Sequence, residues 1–238
     1  MIPKGLSVAL VEPRYPVNVG HVARLAKNFG VRKLYLVNPK VDMSVATVYA
    51  AHASDVLDNA RKVTFAGLRR ENQLLVATTA VRAAKGSNVI RRTVRPERIG
   101  ELVAGARTAV LVFGRDTTGL TNKEIGLCDV TTVIDTGTRY RTLNVGHAVA
   151  IMLHLASSGR GRARPVQSRR ARDLFASGFQ QLTVSAELPK HKVKNMGEVA
   201  KRIAASAALT DSQLLLMAGV FRKAALARAR RQARDSKT

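Results

Sequence analysis

Five apolar runs of about six residues alternate with helical stretches along the first 156 residues: LSVALV (6–11), KLYLVN (33–38), LLVATT (74–79), AVLVFG (109–114) and VTTVID (130–135). Such alternation leaves few folds open. A strand that is apolar throughout must be covered on both faces, and a helix between successive strands returns the chain to begin the next one in parallel. The expected fold is therefore α/β with a mostly parallel sheet. The spacing predicts helices over 18–29, 44–60 (with a break around His52 to Asp55), 96–106, 121–128 and 143–156. Asn18 stands where an N-cap would, Gly30 where a closing C′ glycine would, and Thr121 with Glu124 where a capping box would.

Past residue 157 the pattern changes. SSGRGRARPVQSR (157–169) lacks periodicity, and 158–169 reads as a linker. Helices are expected over 170–186 and 195–231, with PKHKVKN (189–195) interrupting them and Thr210 capping the last. The division is thus an α/β domain, 1–157, a linker, and a small basic helical domain, 170–238. Of that last helix, Leu214, Leu215, Ala218, Phe221 and Ala225 form the expected buried stripe.

The chain carries 40 Lys and Arg against 16 Asp and Glu, a formal charge of +24. Self-repulsion of that size favours a polyanionic partner, and nucleic acid is the usual one. The first 155 residues hold +11 and the remaining 83 hold +13, so the tail is about twice as basic per residue. Ten aromatic residues, none of them Trp, argue for binding mainly through phosphates. Cys128 is the single cysteine, so no intrachain disulfide forms. No apolar run reaches a membrane span, and Glu12 and Pro13 come too early for a signal peptide. The expectation is a cytoplasmic protein with no membrane partner.

Ligands in a parallel sheet bind beyond the carboxyl ends of the strands. Three loops there are rich in special residues: EPRYPVNVGHVAR after the first strand, FGRDTTGL (113–120) and DTGTRYRTLN (135–144). Neither G-x-G-x-x-G nor G-x-x-x-x-G-K-[ST] is present, which argues against a dinucleotide enzyme and a P-loop ATPase. No G-x-S-x-G elbow exists. The histidines are scattered, His147 and His154 lying seven apart, so no metal is expected.

Taken together, NVGHVARLAKNFG, LVFGRDTTGLTN and YRTLNVGHAVAI resemble, in order and spacing, the three motifs of the SPOUT RNA methyltransferases. Within that superfamily the chain is similar to the TrmJ type of tRNA ribose 2′-O-methyltransferase, over about residues 6–156. The resemblance implies a parallel sheet whose C-terminal part forms a trefoil knot, S-adenosylmethionine as cofactor, and a homodimer with its active site at the interface. It implies 2′-O-methylation of tRNA, at nucleotide 32 of the anticodon loop. Another tRNA site, ribosomal RNA, or a non-catalytic RNA-binding role are the alternatives.

The resemblance also implies roles for residues. Arg24 matches the catalytic arginine, although by position alone it reads as a solvated helix arginine. Asn18 matches the residue that positions the target nucleotide or Arg24. Arg115 and Asp116 fall where the family has an Arg-Glu pair, the aspartate being one methylene shorter. Thr142 replaces a serine, and Asn144 matches the last motif's asparagine or simply caps the helix after it. Thr78, Thr79, Ala80, Gly114, Ile134, Arg141, Thr142 and Leu143 would surround the cofactor. Arg169, Arg170, Arg172, Lys190, Lys192 and Lys194 would dock RNA, their bland reading being a solvated face.

Overall fold

A computed structural model describes residues 2–31, 33–80, 93–158, 166–206 and 209–235. The chain divides into two compact units, Met1–Arg164 and Pro165–Thr238. The first contains β1 (Leu6–Val11), α1 (Pro16–Phe29), β2 (Leu34–Val37), α2 (Met43–Ala50), α3 (Ser54–Asp58), β3 (Arg61–Val63), α4 (Phe65–Glu71), β4 (Leu74–Thr79), α5 (Ile99–Ala104), β5 (Ala109–Phe113), α6 (Asn122–Leu127), β6 (Val130–Val133) and α7 (Val145–Ser158). The second contains α8 (Arg169–Ser185), α9 (Lys190–Ser206) and α10 (Asp211–Asp235).

The six strands form one sheet in the order β3-β2-β1-β5-β4-β6, parallel throughout. The α/β expectation therefore holds. β1 and β5 are buried at every position, as a strand covered on both faces must be. Alternate side chains divide between the faces. Ala9, Val11, Tyr35, Val37, Leu75, Val110 and Val112 pack with Leu68 of α4 in one cluster. Against the register Leu6↔Ala109 to Leu10↔Phe113, the carboxyl ends of β1 and β5 finish side by side. Strand order reverses there, since β2 and β3 continue to one side of β1 while β5, β4 and β6 lie to the other. That is where an open parallel sheet binds its ligands.

Several boundaries differ from the sequence reading. Helix α1 starts at Pro16, whose fixed φ suits the first helical position. Tyr15, in extended conformation, is the N-cap, so Asn18 lies inside the first turn and is not the cap. Gly30 closes α1 as expected, at φ 74°. The helix expected over 44–60 is α2 and α3 joined by a 3-10 turn, Ala51–Ala53, and that over 96–106 is a 3-10 turn, Pro96–Arg98, leading into α5. The sequence reading missed β3 and α4. Among the described residues no helix is long and apolar enough to cross a membrane.

In the second unit, Ser168 caps α8 by accepting from the Ala171 amide at 3.2 Å. Ala171, Phe175, Ala176, Ala200, Ala204 and Leu214 form the core, with Phe221 set 5.5 Å from Phe175 and 5.4 Å from Phe179. KHKVKN proves to be the opening turns of α9 and not an interruption. Of the expected α10 stripe, Leu214, Ala218 and Ala225 are buried, whereas Leu215 is 43% exposed. Most of the expected linker, 159–165, lies outside the described residues, while Ser158 ends α7 and Arg169 opens α8.

Candidate active site

The three special loops meet beyond the ends of β1, β5 and β6. Asn18 Nδ2 donates to Asp116 Oδ1 at 2.5 Å, and Asp116 Oδ2 also accepts from the Arg14 amide at 3.2 Å. With its amino group committed, Asn18 has Oδ1 left to accept, and Asn144 Nδ2 donates to it at 3.0 Å. Asn144 Oδ1 in turn accepts from the Gly146 amide at 2.8 Å, which satisfies an N–H of the first turn of α7. Each amide thus orients the next. Asp116, though shorter than glutamate, reaches its partner directly.

Arg115 makes a different connection. It donates to both oxygens of Glu12, through Nε at 3.2 Å and Nη2 at 2.8 Å. It also donates to both oxygens of Glu124, each at 3.0 Å. The three side chains are 15–21% exposed. Hydrogen bonds from Arg115 hold the Glu12 carboxyl below the ordinary value of 4.5, against partial burial and with help from Lys40. Burial is the largest influence on Glu124 and pushes it up, but Arg115 and the Thr121 amide and hydroxyl together outweigh it and leave it lowered. The pKa of Arg115 is raised, first by Glu124 and then by Glu12. Glu124 and Thr121 complete the expected capping box of α6. Glu12, just past β1 at φ 45°, was missed by the sequence reading: its partner is 103 residues away, and only the β1–β5 pairing reveals it.

Gly114 follows β5 directly, at a point where a Cβ would overlap the Gly119 and Leu120 backbone. A side chain is excluded because the FGRDTTGL loop folds back on itself, with the amides of Arg115 and Gly119 each donating to the other's carbonyl.

Arg24 lies on the exposed side of α1, and among the described residues it has no carboxylate partner. It lines a shallow depression of about 260 Å³ with His21, Asn28, Asn144, Gly146 and His147. The histidines there were not singled out from the sequence, since nothing in their spacing connects α1 to α7.

Thr78 and Thr79 end β4 and Ala80 follows it, all three half-buried, and Thr78 Oγ1 donates to the Val112 carbonyl at 2.8 Å. Ile134 follows β6 and is half-buried, as is Leu143, while Arg141 and Thr142 are exposed on the loop before α7. In the second unit Arg170 and Lys192 are exposed and Arg169 is partly so. Arg172 is only 8% exposed, on the inner side of α8, which removes it from an RNA-facing surface. Lys190 and Lys194 lie on α9, but their side chains are outside the described ones. Among the described residues no group of three or more His, Cys, Asp or Glu is placed to hold a metal.

Residues 5–154 match the SpoU rRNA Methylase family. The chain belongs to this family. A similar relative is the tRNA (cytidine-2′-O-)-methyltransferase TrmJ of Sulfolobus acidocaldarius, 30% identical over 220 residues and 92% of each chain. The corresponding TrmJ of Methanocaldococcus jannaschii is 29% identical over 91% of this chain and 98% of its own. Among solved structures, TrmJ from Z. mobilis ZM4 shares the fold with a TM-score of 0.66 at 19% identity, over 93% of this chain and 98% of that one.

Proposed function

We propose that this SpoU-family chain is an S-adenosylmethionine-dependent tRNA ribose 2′-O-methyltransferase acting on nucleotide 32 of the anticodon loop. The observation that carries the reading is the juxtaposition of Arg24, which has no carboxylate partner among the described residues, with the oriented Asn18–Asn144 pair, beyond the ends of β1 and β5. The relatives' described activity and the basic tail support tRNA as the substrate. The TrmJ resemblance supports position 32, a trefoil knot, a homodimer whose site lies at the interface, and action in the cytoplasm.

The cofactor suits the neighbouring strand ends. β5, β4 and β6 are adjacent, and Thr79 stands level with Val133. Beyond that level their backbone groups leave the ladder at half-buried positions, and Gly114 lets the FGRDTTGL loop fold tightly beside them. Thr78, Thr79, Ala80, Gly114 and Ile134 would hold the adenosyl end, with Arg141, Thr142 and Leu143 closing over it. When bound, S-adenosylmethionine supplies a methyl group on a sulfonium, ready for displacement.

The ribose hydroxyl is a weak nucleophile. Arginine stays protonated in proteins, so Arg24 is suited to hold the adjacent phosphate and lower the hydroxyl's pKa by its charge. Asn18 and Asn144, each fixed by a neighbour, position the ribose, and alignment of the reactants supplies much of the acceleration. Arg115, closed between two carboxylates, holds the loops together and does not reach for the substrate.

The direct test is incubation with unmodified tRNA and methyl-labelled cofactor, then digestion and nucleoside analysis. A 2′-O-methylated nucleoside mapped to position 32 is expected. Base methylation would overturn the reaction type, and 2′-O-methylation elsewhere would overturn the position alone.

A further inference from the structure

Ten aromatic residues are few for a chain of this length, yet their placement is uneven. Three are exposed: Tyr15 at 50%, Tyr49 at 43% and Tyr140 at 81%. Tyr15 and Tyr140 lie on two of the loops that build the candidate site, and Tyr49 stands beside His21, which lines it. Tyr49, on α2, has a partner, standing edge-on to the His21 ring at 6.5 Å and 87°. Among the described residues Tyr15 and Tyr140 have no ring partner.

Both are held from behind by backbone. Tyr15 precedes Pro16 and is kept extended, with φ −95° and ψ 114°. The Tyr140 carbonyl accepts from the hydroxyls of Thr136, at 3.3 Å, and Thr138, at 3.0 Å. The Gly137 amide donates to Asp135 Oδ1 at 3.1 Å, tying the start of the same turn. The loops that carry the two rings meet at the Asn18–Asn144 hydrogen bond, three residues after Tyr15 and four after Tyr140. Unpartnered Arg24 lies two helical turns or so beyond Tyr15 on α1.

A tyrosine ring in water leaves a large flat apolar face unused. Nucleobases of an RNA loop present the complementary face once they are unstacked, and a ribose reaches an enzyme most readily from such a nucleotide. We propose that Tyr15 and Tyr140 form a stacking site for unpaired nucleobases of the RNA substrate, holding the target nucleotide and a neighbour beside Arg24. This rests on the proposed function and adds the contact that recognises the base. It also refines the reading of composition: most of the few aromatic rings serve the cores, and the exposed ones are not spread along a strand-binding groove but lie on or beside the loops of the candidate site.

The test compares Tyr15 and Tyr140 each changed to Ala and to Phe in the full-length protein, using an unmodified tRNA transcript. Each Ala variant is expected to weaken tRNA binding and raise KM about tenfold, with smaller change in kcat. Each Phe variant should stay within about twofold of wild type, since the ring remains. Cofactor affinity by calorimetry and the slope of log K against log salt should not change, because stacking releases no counterions. Loss in Phe variants equal to that in Ala variants would overturn stacking, as would Ala variants that bind normally. A change in oligomeric state of the Ala variants would overturn it in favour of a contact between copies. If the wild type methylates no RNA, the proposed function fails and the stacking site with it. If it methylates RNA and the Ala variants do so equally well, the stacking site alone fails.

Discussion

Two arginines of the motif loops show how neighbours decide what one residue type does. Arg115 is enclosed by Glu12 and Glu124, so its charge is spent within the protein. Arg24 has no such acid among the described residues and faces a depression shared with Asn144. Replacing Arg24 with Ala should lower kcat roughly 10²- to 10³-fold, the scale for losing one preorganised electrostatic group, while calorimetry shows cofactor affinity retained. Lysine there should rescue only partly, because it keeps the charge and loses the planar fork. The Arg115 clamp yields a pH dependence. Glu12 and Glu124 are both lowered in the folded state, so their contribution to stability is present above the unfolded carboxylate value of 4.5 and disappears as pH falls through the lower folded values. Thermal melts of wild type and Glu124→Gln should therefore differ most at neutral pH and converge as the pH drops below 4.5. Arg24, Asn18, Asp116 and Asn144 could be picked out in the sequence because motif spacing carries them. Glu12 could not, since nothing local distinguishes it from any acid at the end of a strand.

Among the elements, legibility followed burial. β1, β4 and β5 are almost wholly buried, so their apolar runs stand out. β3 is an edge strand, RKV, with two exposed residues and one half-buried, and offers no such run. KHKVKN has the charge of a loop, yet it opens α9, because charge does not oppose a helix and no Pro or Gly breaks the run. The three-residue error at the start of α1 has a simple cause: Pro16 is favourable at the first helical position and outweighs an asparagine that caps well. The displacement matters, because it places Asn18 in the helix where its amide meets Asp116. Gly114 ties the same region together at the end of β5. An Ala there would strike the Gly119 and Leu120 backbone. Gly114→Ala should destabilise the protein by about 1–3 kcal/mol in urea unfolding and weaken cofactor binding, since the loop must open to admit the methyl group.

For the whole molecule, the formal charge of +24 has an uneven use. Acids are drawn to structural work in the α/β unit: Glu12 and Glu124 neutralise Arg115, Asp55 pairs with Lys27, and Glu71 pairs with Arg61. The tail is more basic per residue and buries a core of only modest size, built on Ala171, Phe175, Ala176, Ala200, Ala204 and Leu214. Arg170 and Lys192 are exposed there, where phosphates could meet them. Not all cations of the tail are equivalent, since Arg172 is buried and Arg169, Arg170 and Lys192 are at least partly accessible. Phosphate contacts give each neutralised charge a share of the salt dependence, about 0.7–0.9 in the slope of log K against log salt. Changing Arg169, Arg170 and Lys192 together to Gln should flatten that slope by about 2 to 3 in filter-binding titrations with tRNA, and should leave cofactor affinity unaltered. Substituting Arg172 alone should instead lower stability without flattening the slope. If the triple variant kept the full slope, the charge excess of the tail would have to serve something other than holding RNA, and the substrate would be gripped by the α/β unit alone.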